Sequence, residues 1–263
     1  MNDLFDIACN FTHESFEDDL EQVIDNGMSI GVSKFLVVAA ELDDAHKIDK
    51  LITNHKDLLY FTTGVHPHHA KSFNDQSTER MRNLIKKYSP NALGEMGLDF
   101  FRNLSSHEEQ TFAFEEQIKL AIEFNKPLFL HQRDSHEPFI KLLNNYKTDI
   151  DKAVVHCFTG TQQELDEYLK CDFYIGLTGW ICDERRNKDL RSSIKNIPLN
   201  RLMLETDSPF LIPRNLSPKP KSNRNEPKNL MHIATEIAQL RNESVQEICN
   251  ATYRNSLDFF SQA

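Results

Sequence analysis

The sequence predicts an α/β fold closed into a TIM-type (β/α)8 barrel, on three observations. Eight short apolar runs rich in Val, Ile, Leu and Phe recur along the 263 residues. Stretches long enough for a helix separate most of them, and the length suits the roughly 250 residues of such a barrel. Alternating strand and helix imply βαβ units and a parallel sheet. An open doubly wound sheet is the alternative that periodicity leaves standing, but eight repeats without a second block of composition suit closure better. No Gly-x-Gly-x-x-Gly follows the first run. One domain spanning residues 1–263 is expected.

In chain order, strands are expected at residues 4–8, 34–39, 60–65, 92–95, 127–131, 153–157, 173–177 and 202–206. The helices between them are expected at 16–26, 45–54, 77–88, 106–124, 136–146, 162–169 and 189–197. Residues 208–227 carry five of the ten prolines, Pro209, Pro213, Pro218, Pro220 and Pro227. That excludes regular helix and marks a loop of about twenty residues, a length usual for lids or linkers. Helices at 230–240 and 245–260 end the chain.

A formal charge of −10 argues against indiscriminate polyanion binding, so any nucleic-acid contact must be local. No apolar run approaches the roughly 18 residues that span a bilayer. The N-terminus Met1-Asn2-Asp3-Leu4-Phe5-Asp6 lacks the basic flank and apolar stretch of a secretory signal. The five cysteines form no Cys-x-x-Cys pair and read as reduced thiols. A cytoplasmic monomer without membrane contact is expected.

Residues at the C-terminal ends of barrel strands converge on one face. Here those ends carry Asp6 and Asn10, His66, Glu95, His131, His156, and Glu205 with Asp207. Taken singly, such a histidine is usually a hydrogen-bonded structural residue, and such a carboxylate a helix cap. The set reads differently. Imidazoles on consecutive strands, flanked by carboxylates on the fourth and eighth, are the ligands that borderline divalent metals prefer. Glu205 is expected to support the site rather than to bind an ion. Of three clustered histidines, only His66 is placed in the site, with His68 and His69 farther out on the loop.

Longer motifs surround these residues. PLFLHQRDSHE (127–137) and LMLETDSP (202–209) resemble signatures of the TatD family of metal-dependent deoxyribonucleases, as do GVHPH (64–68), GEMGLD (94–99), HCFTG (156–160) and TGWICDERR (178–186). The resemblance covers essentially the whole chain, and LSPKPKSNRNEP (216–227) is most similar to the bacterial members that give the family its name. It implies a TIM barrel with an amidohydrolase-like metal site and hydrolysis of DNA phosphodiesters from the 3′ end of single strands, with RNA a further substrate, in repair or degradation. It also implies Glu95, His131 and His156 as metal ligands, and Asp207 as a ligand or general base. Family members often carry Asp-x-His-x-His on the first strand; this chain has Ala8 and Asn10 at those two histidine positions. One firm metal site beside one weak site is therefore expected. Imidazoles favour Zn2+ or Mn2+, whereas phosphate chemistry commonly runs on Mg2+, the ion expected in the cell.

Between residues 181 and 224, ten basic side chains stand against five acidic ones. This stretch follows the seventh and eighth strands, where barrels frequently bind phosphate. Arg133, Arg185, Arg186, Lys219, Lys221 and Arg224 are expected to hold the substrate backbone, with Trp180 or Phe210 for base stacking. The expected reaction is metal-assisted hydrolysis with Asp207, Glu95 and His66 in catalytic roles. Its rivals are an amidohydrolase or esterase on a small or aminoacyl substrate, and a nucleic-acid-binding protein with a decayed site.

Overall fold

The computed structural model describes residues 3–261. Eight strands, β1 (Leu4–Cys9), β2 (Val32–Val37), β3 (Leu59–Thr63), β4 (Ala92–Asp99), β5 (Leu128–Arg133), β6 (Ala153–Val155), β7 (Tyr174–Leu177) and β8 (Leu202–Leu204), lie in that order in one sheet. Every neighbouring pair is parallel. The ring closes where Cys9 bridges Ser208 and the Asn10 amide donates to the Ser208 carbonyl at 2.8 Å. This is the barrel expected from periodicity.

Helices α1 (Leu20–Ser29), α2 (Asp44–Asn54), α3 (Asp75–Tyr88), α4 (His107–Glu123), α5 (His136–Asn145), α6 (Gln162–Lys170) and α7 (Lys188–Ser193) connect successive strands. α8 (Leu230–Arg241) and α9 (Val245–Phe260) follow the last. Start signals are local: Ser106, Thr161 and Ser244 each form a reciprocal capping box with a glutamate three residues on. Two expectations shift. The first helix begins at Leu20 rather than residue 16, because residues 14–16 form a tight 3-10 turn whose Phe16 is buried. The seventh ends at Ser193 and tightens into a 3-10 turn over Ile194–Asn196, just before Pro198 restricts the backbone.

The apolar residues divide into two layers. Phe5, Ile7, Leu36, Ala92, Phe129, Val154 and Met203 fill the barrel interior, and Phe259 and Phe260 of α9 pack with them. The larger layer, including Leu4, Phe35, Leu93, Leu130, Val155 and Leu204, lies between the strands and the helices. Inward residues of β5, β6 and β8 therefore run Phe129 to His131, Val154 to His156, and Met203 to Glu205 and Asp207, apolar below and polar above. The pairing register of β4 with β5 shifts between Leu93 and Met96. That shift resets the alternation, so Ala92 and Glu95, three positions apart, both face inward.

Candidate active site

A cavity of about 590 Å3 opens at the C-terminal ends of the strands. Asn10, His66, Glu95, His131, His156 and Asp207 all line it. Glu95 stands at its centre. Its Oε1 lies 2.8 Å from His131 Nδ1, 2.8 Å from His156 Nε2 and 3.2 Å from His66 Nε2. Donor atoms of His66, Glu95 and His131 fall within 4.8 Å of one another. Glycines permit this approach: a Cβ on Gly94 would sit 2.2 Å from the Phe129 carbonyl oxygen, and one on Gly97 1.9 Å from that of His131, both at strongly positive φ.

Glu205 is buried behind His156, with Oε2 3.3 Å from Nδ1 while Oε1 accepts from the Cys157 amide. A carboxylate on the far nitrogen orients an imidazole and raises its basicity. Asp207 sits at the barrel seam, where the Asn10 side-chain amide donates to its Oδ1 at 3.1 Å. Asp134, Cys157 and Asp207, just beyond β5, β6 and β8, all adopt positive φ, at 52°, 48° and 55°. Such conformations cost non-glycine residues free energy and cluster at functional sites.

Burial raises the Glu95 carboxyl, but the surrounding imidazoles overcome it and hold Glu95 well below the usual range. Burial depresses the His156 imidazole, yet Glu95 and Glu205 together push it well above its ordinary value. For His66 burial prevails over Glu95, lowering the imidazole to about 4. Desolvation, with Glu95 and Glu205 nearby, raises Asp207 to about 7 against the opposing charge of His156.

Metal fits this donor set. His131 Nε2 is buried without a hydrogen-bond partner, with Asp99 Oδ2 3.5 Å away. The lining also includes five carboxylates, Glu41, Asp44, Glu95, Asp99 and Asp207, against two arginines, Arg102 and Arg133. A polyanion meets repulsion there unless cations reverse the field.

His68 lies nearer than the sequence suggests. It lines the cavity beside His66, with Nε2 2.7 Å from Asp99 Oδ2. Asp99 also receives the backbone amides of Phe101 and Arg102 on Oδ1; desolvation raises its carboxyl, but the neighbouring His131 and His68 imidazoles and these amides hold it far below the carboxylate range. His69 too lines the cavity, 3.3 Å from Glu41. The only hint of these positions was the run of three histidines among four residues.

The basic side chains divide. Arg133 lines the cavity, with its guanidinium carbon 3.9 Å from the centre of the Phe101 ring. Arg185 and Arg186 both bind Asp183 and remain more than half exposed, Arg186 lying over Trp180. Lys219 and Lys221 are exposed on the proline-rich loop and do not line the cavity. Arg224 is engaged away from the site: both Asp19 oxygens, the Ser15 carbonyl and Glu226 hold its guanidinium, so it ties the loop to the start of α1 and does not line this cavity. The part of the loop that reaches the cavity is Phe210 and Leu211, with Phe210 edge-on to His13 at 5.5 Å.

Known proteins share this architecture. A family model described as TatD related DNase matches residues 5–261. A Pantoea ananatis protein named 3'-5' ssDNA/RNA exonuclease TatD is 42% identical over 257 residues, covering 98% of this chain and 99% of its own. The Yersinia pseudotuberculosis protein of the same name is 44% identical, with 98% and 99% covered. Among solved structures, the TatD homolog YJJV of Escherichia coli superposes with a TM-score of 0.90 at 28% identity, covering 99% of this chain and 98% of that one.

Proposed function

This chain belongs to the TatD related DNase family, and from that premise we propose that it is a metal-dependent 3′–5′ exonuclease of single-stranded DNA, and of RNA, in DNA repair or degradation. It is a hydrolase acting on phosphodiester bonds. The observation that carries the reading is the convergence of His66, His131 and His156 on one oxygen of Glu95, with Asp207 lining the same cavity.

Glu95, His131 and His156 would hold a firmly bound divalent cation, Mg2+ in the cell. A second ion would have Glu95, Asp207 and Asn10 but no first-strand imidazole, and would bind more weakly. A cation at such a site supplies Lewis-acid activation of a phosphoryl oxygen and of water. Water attacks phosphorus, its proton passes to Asp207, the P–O3′ bond breaks, and the leaving 3′-oxygen takes up a proton from solvent water. Asp207, with its Oδ1 held by the Asn10 side-chain amide, is placed to take the proton of the attacking water. His66 would contact the phosphoryl group. Arg133, Arg185 and Arg186 would hold backbone phosphates, and Lys219 and Lys221 would add long-range attraction. Arg224 is left out of the substrate path.

No described helix is long and apolar enough to cross a membrane; a cytoplasmic monomer, one domain over residues 1–263, remains our proposal. The test uses 3′-labelled and 5′-labelled single strands with Mg2+, Mn2+ or EDTA. Wild-type protein should release label from the 3′ end first and stop in EDTA, and His131→Ala and Asp207→Asn should each lower kcat by roughly 100-fold or more. Release that persists in EDTA, or in both variants, would refute the reading.

A further inference from the structure

Beyond Arg133 a second cleft of about 680 Å3 adjoins the first cavity, and the two share Gln132, Arg133, Thr159 and Trp180 as lining. Two arginine–aromatic pairs stand at this junction, Arg133 on Phe101 at 3.9 Å and Arg186 on Trp180 at 4.8 Å. Phe101 lines only the second cleft and is 55% exposed, although it is among the largest apolar side chains of the protein. Exposed rings beside arginines are the usual platform for single-stranded bases, because every base offers a π-face.

The remaining charged lining of the second cleft is acidic, with Asp134, Glu137, Glu164 and Asp189. Carboxylates repel phosphate but accept hydrogen bonds from exocyclic amines of bases. The cleft is therefore suited to a base and unsuited to backbone. A 3′–5′ exonuclease cleaves between the last two nucleotides, so its site must hold one nucleoside on each side of the scissile phosphate. With the phosphate beside Glu95 and Arg133, the continuation past Arg133 is the place for the upstream partner.

We propose that the second cleft is a nucleobase subsite for the penultimate nucleotide, with Phe101 as its stacking surface. This rests on the exonuclease reading above. Neither motif spacing nor strand-end position marks Phe101, which falls between GLD and the next helix.

The experiment compares three substrates: a single-stranded oligonucleotide, the same strand abasic at the penultimate position, and the methyl ester of thymidine 5′-phosphate, which has neither base nor ring upstream of the scissile phosphate. Removing the penultimate base should raise wild-type KM on the order of tenfold, with kcat little changed. Phe101→Ala should raise KM for the intact strand by a similar factor and add nothing on the abasic strand. The kcat/KM ratio of strand over ester should fall accordingly, and Phe101→Tyr should restore it. An abasic strand cleaved as well as the intact one overturns the subsite alone. So does a Phe101→Ala loss that is equal on strand and ester, because the ring would then act only by holding Arg133. Wild-type protein that releases no mononucleotide from any strand in Mg2+ or Mn2+ overturns both readings.

Discussion

Asp6 shows how a single buried carboxyl can serve the barrel without serving its chemistry. It is fully buried, and its oxygens accept from the Thr206 amide at 2.8 Å, the Thr206 hydroxyl at 2.5 Å and the Ala8 amide at 3.3 Å. Desolvation outweighs these hydrogen bonds and raises the group to about 7. The folded chain thus keeps a proton that the unfolded chain gives up near pH 4. The stabilising contribution is full below pH 4 and is lost as pH rises toward 7. Asp6→Asn should flatten that part of the stability profile, read from urea midpoints between pH 4 and 7 in EDTA; an unaltered slope would assign it elsewhere. Metal affinity also belongs to this scale. Ala8 and Asn10 withhold two imidazoles, so calorimetric titration of the apo protein with Mn2+ should resolve one tight site and one at least tenfold weaker, and two equal sites would contradict the proposal. The ring of strand-end polar residues was legible because strand ends converge. The pairing of His68 with Asp99 was not, because it depends on how a loop after β3 folds over β4, and no periodicity encodes that path.

Among the elements, β4 does most to shape the site. Gly94 and Gly97 bracket Glu95, and side chains there would enter the carbonyls of β5. Gly97→Ala should destabilise the protein by more than about 2 kcal/mol, since both the positive φ and the β5 backbone resist a methyl group. It should also shift His131 and weaken metal binding; urea unfolding and metal titration of the variant check both, and wild-type values in each would show that β5 yields. The sequence located this strand from its apolar run at residues 92–95, four residues short of its end. Gly97 and Asp99 break the apolar pattern, Gly97 because a side chain there would meet the β5 backbone and Asp99 because it lines the cavity. The proline-rich loop shows the opposite limit. Its irregularity was readable from five prolines, but the capture of Arg224 by Asp19, 205 positions away, had no local signature.

For the molecule as a whole, stability and chemistry occupy opposite ends of one tube. Phe259 and Phe260 pack against each other at 4.7 Å, and reach Tyr174 and Phe5 at 5.2 and 5.6 Å, sealing the interior away from the cavity. Replacing either with Ala should cost about 3–5 kcal/mol, yet kcat well below the melting temperature should stay near wild type. Thermal melts paired with steady-state rates would check this, and a kcat loss without a fall in Tm would contradict the separation. The barrel was legible from the sequence because each strand carries its own apolar signature; the packing of α9 across its base was not, since that helix is amphipathic in the ordinary way.

The seam between β1 and β8 joins the beginning of the chain to a point near its end, with Asn10 holding Asp207 across 197 positions. During synthesis, Glu95, His131 and His156 therefore emerge long before the residue proposed to complete them. A nascent chain that has not released its eighth strand from the ribosome has an open ring and no assembled base.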